Sequence, residues 1–220
     1  MEKNKQKITP PRLAPRLNEE DSFVRWMTEE EGDLAEYLFK DEAIEEVRRD
    51  FTGISSCRFV NCNFSGCKFY KLQFSDTVFY NCDLSNISFS GCGFHRVEFT
   101  DCKLMGTQLP ESLLNHTVFR NCRADYMVVS MSKIRNSLWV DSGLRGAAFD
   151  NCTLVQSQFS RCQLIEAEFH RTPLKEMDLS DSDIRGIRLS AVPAGELKGA
   201  TVTSLQALDL ARLLGIIIKE

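Results

Sequence analysis

Nine cysteines and three histidines are the residues of this 220-residue chain with the most chemistry to offer. Cys57, Cys62 and Cys67 follow one another at C-x₄-C spacing, and Cys82, Cys92, Cys102, Cys122, Cys152 and Cys162 continue at multiples of five. Zinc ligands paired on one turn stand two to four residues apart, and this spacing fits poorly. His95, His116 and His170 have no partner pattern, and the carboxylates are scattered. No glycine-rich phosphate loop, nucleophile elbow or paired-carboxylate motif is present. The residues therefore predict no catalytic residue, no metal site, no cofactor and no enzyme.

What must position these cysteines is a period of five. Ile54, Phe59, Phe64, Phe69, Phe74 and Phe79 open a series that runs every fifth residue to Leu189 without a slip. Its members are large and apolar except for Ala124. Two residues ahead of each lies a second series of Cys, Ser, Thr and Ala with a few larger apolar residues, and it contains every cysteine of the chain. Residues two apart on an extended chain point the same way, whereas residues three apart point oppositely. Both series stay inside only if the chain turns a corner once per pentad. Short sides joined by corners of one sense make a coil, and stacked coils bury a continuous core. The expectation is an all-β solenoid.

Runs such as Cys62-Asn63-Phe64-Ser65-Gly66 and Cys82-Asp83-Leu84-Ser85-Asn86 resemble the pentapeptide-repeat family. The resemblance implies a right-handed quadrilateral parallel β-helix with four pentads per coil, and about seven coils for residues 54–192. Residues twenty apart then stack. Phe59, Phe79, Phe99, Phe119, Trp139, Phe159 and Leu179 form one column, and Cys62, Cys82, Cys102, Cys122, Ser142, Cys162 and Ser182 another. At about 4.8 Å per coil the rod is roughly 34 Å long. The stacked cysteines come within disulfide distance, but parallel side chains and a reducing compartment favour small buried thiols. Asn61, Asp76, Asn81, Asn86, Asp101 and Asn121 stand two after the large residue, where corners favour such residues.

The ends differ from the middle. Residues 1–53 are expected to be an N-terminal tail and a short cap: Pro10, Pro11 and Pro15 keep residues 1–17 extended or mobile, Asn18 to Asp21 suits a helix start, and residues 33–49 show a loose helical spacing. Residues 193–220 form a C-terminal unit. After the period fails at Ala191 to Gly195, a strand through Leu197 to Val202 is expected, then a helix opened by Thr203 with Gln206 as its capping partner. Gly215 stops the helix, and Ile216, Ile217 and Ile218 suit a short strand. Leu205, Leu208, Ala211, Leu213, Leu214, Ile216, Ile217 and Ile218 are too apolar for one rod end to bury. They predict a homodimer joined through the C-terminal ends; a monomer with the helix flat on the last coil is the alternative.

Residues 1–18 carry a net charge of +4 and residues 19–50 a net charge of −9, leaving the rest near neutral. The chain has no apolar run long enough for a membrane span, and its first residues lack the apolar core of a signal peptide, so a cytoplasmic protein is expected. The stretches Leu197 to Ile216 and Cys122-Arg123-Ala124-Asp125-Tyr126, with Ile8-Thr9-Pro10-Pro11, are similar to the Qnr-like pentapeptide-repeat proteins of Gram-positive bacteria. That resemblance implies a dimeric rod mimicking duplex DNA, with DNA gyrase or topoisomerase IV as partner, no direct nucleic-acid binding and an effect on quinolone susceptibility. Some Gram-negative Qnr proteins project loops that aid drug protection, and this register leaves no room for them. Mimicry asks for an acidic face. The candidate face combines the acid-leaning column of Asp101, Asp141 and Asp181 with Asp125 and Tyr126. The stretch from Ala124 to Val129, where the pattern is weakest, reads as either a packing adjustment or an exposed contact surface. A rigid dimeric scaffold or adaptor is the competing function.

Overall fold

The computed structural model describes residues 8–19, 22–190, 195–213 and 215–219. The chain winds as a right-handed quadrilateral parallel β-helix whose coils pair at a constant offset of twenty: Phe74 with Phe94, Phe79 with Phe99, and Phe99 with Phe119. Nearly every corner holds one residue at positive φ, such as Asn61 at 57°, Asn81 at 52° and Asp101 at 56°; Asp181 is an exception. Asn, Asp and Gly adopt this conformation at least cost. The ladder on both sides is strong enough to hold Arg96, His116 and Arg161 there as well.

Four faces result, named here by their buried residues. Face 1 stacks Phe39, Phe59, Phe79, Phe99, Phe119, Trp139 and Phe159, with centroids 4.9–5.2 Å apart. Face 2 runs from Ile44 to Ile184; it opens with a two-stranded sheet of Ala43–Glu45 and Asn63–Ser65 and is held beyond that by isolated bridges and turns. Face 3 is an eight-stranded sheet from Arg48–Asp50 to Arg188–Leu189. Face 4 runs from Leu34 to Leu174. Each buried Phe is worth about 2–3 kcal/mol, and offset stacking adds about 0.5–1.5 kcal/mol per pair.

The small inward position does more than save space. Cys82 Sγ donates to Phe59 O at 3.6 Å, Thr107 Oγ1 to Leu84 O at 2.7 Å and Ser112 Oγ to Phe89 O at 2.7 Å. The hydroxyls also accept: Cys122 N–H donates to Ser142 Oγ at 3.1 Å and Cys152 N–H to Thr172 Oγ1 at 3.0 Å. These side chains tie each coil to the one below it. The sequence reading of the cysteines as small buried thiols does not include this donor role.

The rod begins one coil earlier than residue 54. Leu34, Phe39, Ile44 and Arg49 pair with Ile54, Phe59, Phe64 and Phe69. Eight coils span about 38 Å at the inter-strand spacing. The loose helical spacing of residues 33–49 was this pentad pattern, disguised by Arg49 and Glu42 at inward positions. Those positions face a cap instead of another coil. The cap is α1 (Phe23–Glu29), and its N-cap is Ser22, whose Oγ accepts from Arg25 N–H at 3.2 Å. Phe23 plugs the rod edge-on against Phe39, Phe59 and Phe64. Arg49 donates to Met27 O at 3.1 Å and Glu30 O at 2.9 Å, closing the carbonyl end of α1. Asn18 and Glu19 pair with Tyr37 and Leu38 as a strand; the helix start proposed at Asn18 to Asp21 falls partly on Glu20 and Asp21, outside the described residues.

Residues 8–17 form an extended strap docked along the edge between faces 4 and 1. Thr9 N–H donates to His116 Nδ1 at 3.2 Å, Arg12 N–H to Asp76 Oδ1 at 2.9 Å and Ala14 N–H to Ser56 Oγ at 2.7 Å. Three extended residues cover about 9–10 Å, the height of two coils, so the strap climbs in step with the corner column. The first seven residues of the tail lie outside the described part.

At the other end Glu196 is buried and accepts from Arg171 N–H at 2.7 Å and Ser190 N–H at 2.9 Å. In place of the expected strand through Leu197 to Val202 there is a turn and one bridge, Thr201 with Asp178. The offset there is twenty-three, which places the irregularity before it; Ala191 to Ala194 lie outside the described residues. Helix α2 (Ser204–Leu213) opens with the expected capping box: Thr203 N–H donates to Gln206 Oε1 at 2.7 Å and Gln206 N–H to Thr203 Oγ1 at 3.2 Å. Gly215, at φ 74°, ends it in a Schellman motif, with Ile216 N–H bonded to Ala211 O. Ile216, Ile217 and Ile218 form no strand among the described residues.

Candidate protein-interaction surfaces

All nine cysteines are buried and free. Burial pushes the thiols of Cys57, Cys67 and Cys162 up to about 11 and that of Cys92 to about 12. Among the described residues no group of three His, Cys, Asp or Glu is placed to hold a metal ion. A void of about 10 Å³ lined by Phe89, Phe94, Phe99 and Leu114 is apolar and no larger than one water. The candidate residues stand on the outer surface.

Asp101, Asp141 and Asp181 stand on the edge between faces 1 and 2, and each is engaged. Asp101 accepts from Asn121 Nδ2 at 2.6 Å, Asp141 from Arg161 Nε and Nη2 at 2.6 and 2.8 Å, and Asp181 from Ser160 Oγ at 2.8 Å. The Arg161 guanidinium holds the Asp141 carboxyl below its usual range. Asp125 and Tyr126 stand at the opposite edge of face 2, where Asp125 Oδ1 accepts from Arg145 N–H at 2.8 Å. The five candidates therefore border one face from its two sides. On the face itself Lys103 pairs with Asp83 at 3.2 Å and Arg185 with Asp183 at 2.5 Å.

Tyr126 is the exception to this pairing. It holds φ 57° at a turn closed by Met127 N–H to Ala124 O, and its side chain is 57% exposed. Beside it the buried Ala124 completes an undistorted coil.

The edge between faces 4 and 1 is a connected assembly. Arg96 Nε and Nη2 reach Asp76 at 2.6 and 2.5 Å, and Arg96 also contacts His95. Burial pushes the Asp76 carboxyl up, but the bonds from Arg96 and from Arg12 N–H outweigh it and leave it lowered. Burial, with the Arg96 charge beside it, lowers the His95 imidazole. The strap was not foreseen, because its contacts are made by backbone N–H groups.

At the C-terminal end Gln206 Nε2 donates to Leu179 O and Ser182 O, which sets α2 on the last coil. Leu210 packs partly against the core and Ala211 is half-buried. Leu205 is 77% exposed and Ile217 89%, and Leu208, Leu213 and Ile216 are also exposed. Leu214 lies outside the described residues. Among the described residues no helix is long and apolar enough to cross a membrane.

Two family models match the chain: the pentapeptide repeat region at residues 92–169 and the pentapeptide repeats (8 copies) at residues 57–96. Together they span just over half of it. The chain belongs to the pentapeptide-repeat family. No curated protein sequence matches significantly. Among solved pentapeptide-repeat structures, full-length QnrB1, a plasmid-mediated fluoroquinolone resistance protein, is 19% identical with a TM-score of 0.44, covering 81% of this chain and 100% of its own. HetL, involved in heterocyst differentiation regulation in the cyanobacterium Nostoc sp. strain PCC 7120, is 14% identical with a TM-score of 0.34, covering 77% and 86%. Rfr23 from the cyanobacterium Cyanothece 51142 is 12% identical with a TM-score of 0.19, covering 81% and 95%. These overlays are too distant to carry a function across.

Proposed function

We propose that this pentapeptide-repeat rod is a non-enzymatic DNA mimic. Its partner is a type II topoisomerase, DNA gyrase or topoisomerase IV, in the cytoplasm, and its binding modulates quinolone susceptibility. The single observation that carries the reading is an unbroken rod with one end capped by α1 and the other exposing Leu205, Leu208, Leu213, Ile216 and Ile217. An apolar end of this kind suits a two-fold partner, and two copies joined there make a duplex-like rod of roughly 75–80 Å. The Qnr-like stretches at Cys122 to Tyr126 and Leu197 to Ile216 support the choice of partner. The added first coil also makes the rod more acidic, since Asp33 to Asp50 contains seven acids against three bases. The docking face in this reading is the one bordered by Asp101, Asp141 and Asp181 on one side and Asp125 and Tyr126 on the other.

A supercoiling assay with purified gyrase, with and without a quinolone, tests it. The expected result is altered supercoiling or altered drug inhibition as the protein is titrated. If neither changes over a wide range, the second reading, a rigid dimeric adaptor for another protein, takes its place. That reading is favoured by the pairing of Asp83, Asp141 and Asp183 with cations of the rod. Truncation before Thr203 should halve the native mass; a truncated chain of unchanged mass would refute dimerisation through this end.

A further inference from the structure

Three residues at positive φ are large and apolar or aromatic: Phe51 at 52°, Tyr126 at 57° and Met131 at 51°. Every other positive-φ residue described is glycine or polar. This backbone conformation disfavours bulky side chains and costs on the order of 1 kcal/mol or more. None of the three gains burial in return, at 69%, 57% and 54% exposed. Their contacts within the fold, Phe51 with Tyr70 and Tyr126 with Gly146, leave more than half of each residue in water.

Their placement is not scattered. Tyr126 lies on the edge between faces 2 and 3, and Phe51 and Met131 lie on the edge between faces 3 and 4. Exposed Val128 and Tyr70 stand on face 3 between those edges. Tyr70 meets Phe51 edge-on at 5.6 Å, and Lys71 Nζ sits 5.2 and 4.9 Å from the two rings. The strap occupies the diagonally opposite edge and leaves face 3 open. Among the described residues Arg48, Lys68 and Lys71, at the N-terminal end of this face, form no ion pair, whereas acids elsewhere on the rod are matched by Lys103, Arg120, Arg145, Arg161 and Arg185.

We infer that the docking surface of the proposed function, which reaches Tyr126, is centred not on face 2 but on the adjoining face 3, with Tyr126, Met131 and Phe51 as apolar anchors and the carboxylates bordering face 2 secondary to them. The occupant is the topoisomerase of the proposed function, on which this inference rests. The patch that it presents is apolar, with carboxylates opposite Lys68 and Lys71. Aromatic and Met side chains are enriched at the centres of protein interfaces. The rod supplies the outline of DNA, while the contact has the chemistry of a protein interface.

Binding of the full chain to immobilised purified gyrase and topoisomerase IV tests this, with the double variants Tyr126→Ser/Met131→Ser and Tyr80→Ser/Val155→Ser. The second pair alters similarly exposed apolar residues on faces 1 and 4. Thermal denaturation should show all three proteins equally folded. The face 3 variant should bind at least about tenfold more weakly, with the control unchanged. Wild-type affinity should fall only several-fold between about 0.05 and 0.2 M salt, whereas a contact led by carboxylates would weaken much more steeply as screening rises. Equal loss in both variants, no loss in the face 3 variant, or the steep salt dependence would overturn the inference and leave the proposed function standing. Wild-type protein that binds neither enzyme would overturn both.

Discussion

The ring of Tyr126 lies across the backbone of Gly146, one coil further along. A Cβ on Gly146 would sit 2.8 Å from Tyr126 Cε1 and 2.9 Å from Cδ1. The same edge repeats the arrangement. Asn86 leans over Gly106, with its Oδ1 2.4 Å from where a Cβ would stand, and Glu166 leans over Gly186 at 3.3 Å. Glycine in alternate coils makes room for the side chain below it.

Gly146→Ala should therefore displace the Tyr126 ring and also place Ala at φ 60°. The expected destabilisation is about 1–2 kcal/mol, read by urea denaturation. Tyrosine ring resonances in NMR should show Tyr126 moved. An unshifted ring with unchanged stability would contradict the contact.

Arg49→Leu is expected to retain the first coil, because leucine suits an inward position, yet to loosen α1. Met27 O and Glu30 O lose their charged donor, which costs about 1.5–3 kcal/mol. Hydrogen exchange should accelerate in residues 23–30 and remain slow beyond residue 70. Uniform acceleration along the rod would mean that Arg49 supports more than the cap.

The thiols should be silent in the folded protein. They are buried, and Cys62 and Cys102 are raised by thiols stacked against them as well as by burial. An aromatic disulfide reagent at pH 8 should label none within minutes, and all nine after denaturation. Rapid labelling of one thiol in the native state would show that a coil opens locally.

The strap should respond to acid through Asp76. Its folded carboxyl is lowered relative to an unfolded value near 3.9, so its contribution is complete above that value and is lost as pH falls through the lower folded one. Asp76→Asn should weaken the strap already at pH 7, by about 1–2 kcal/mol for the lost charged bonds. Protection of the Arg12 amide, followed by hydrogen exchange in wild type and variant, reads this directly. Equal protection in both would remove Asp76 from the anchor.

What could be read from the residues alone follows from where each interaction keeps its information. The Phe column of face 1 and the corner Asn and Asp residues announce themselves by type and spacing, and with them the four-sided rod. The first coil hid because Arg49 and Glu42 answer to α1, so their polarity looked like the end of the pattern. The capping pair of Thr203 and Gln206 is a local motif and was readable. The strap was not, since Thr9, Arg12 and Ala14 bind through N–H groups that every residue but proline has. Tyr126 was singled out by its neighbour Ala124, but its seat on Gly146 shows only when residues twenty apart are set side by side.

The constant offset between coils has a consequence for how such a chain can change its length. Removing or adding twenty residues would shorten or extend the rod by one storey and leave every later side chain facing the same direction. A change of five would turn all that follows by a quarter, carrying the anchors beyond it around to a neighbouring wall while the buried stacks rearrange only across the junction. A viable protein could thus lose its partner at the cost of repacking one coil.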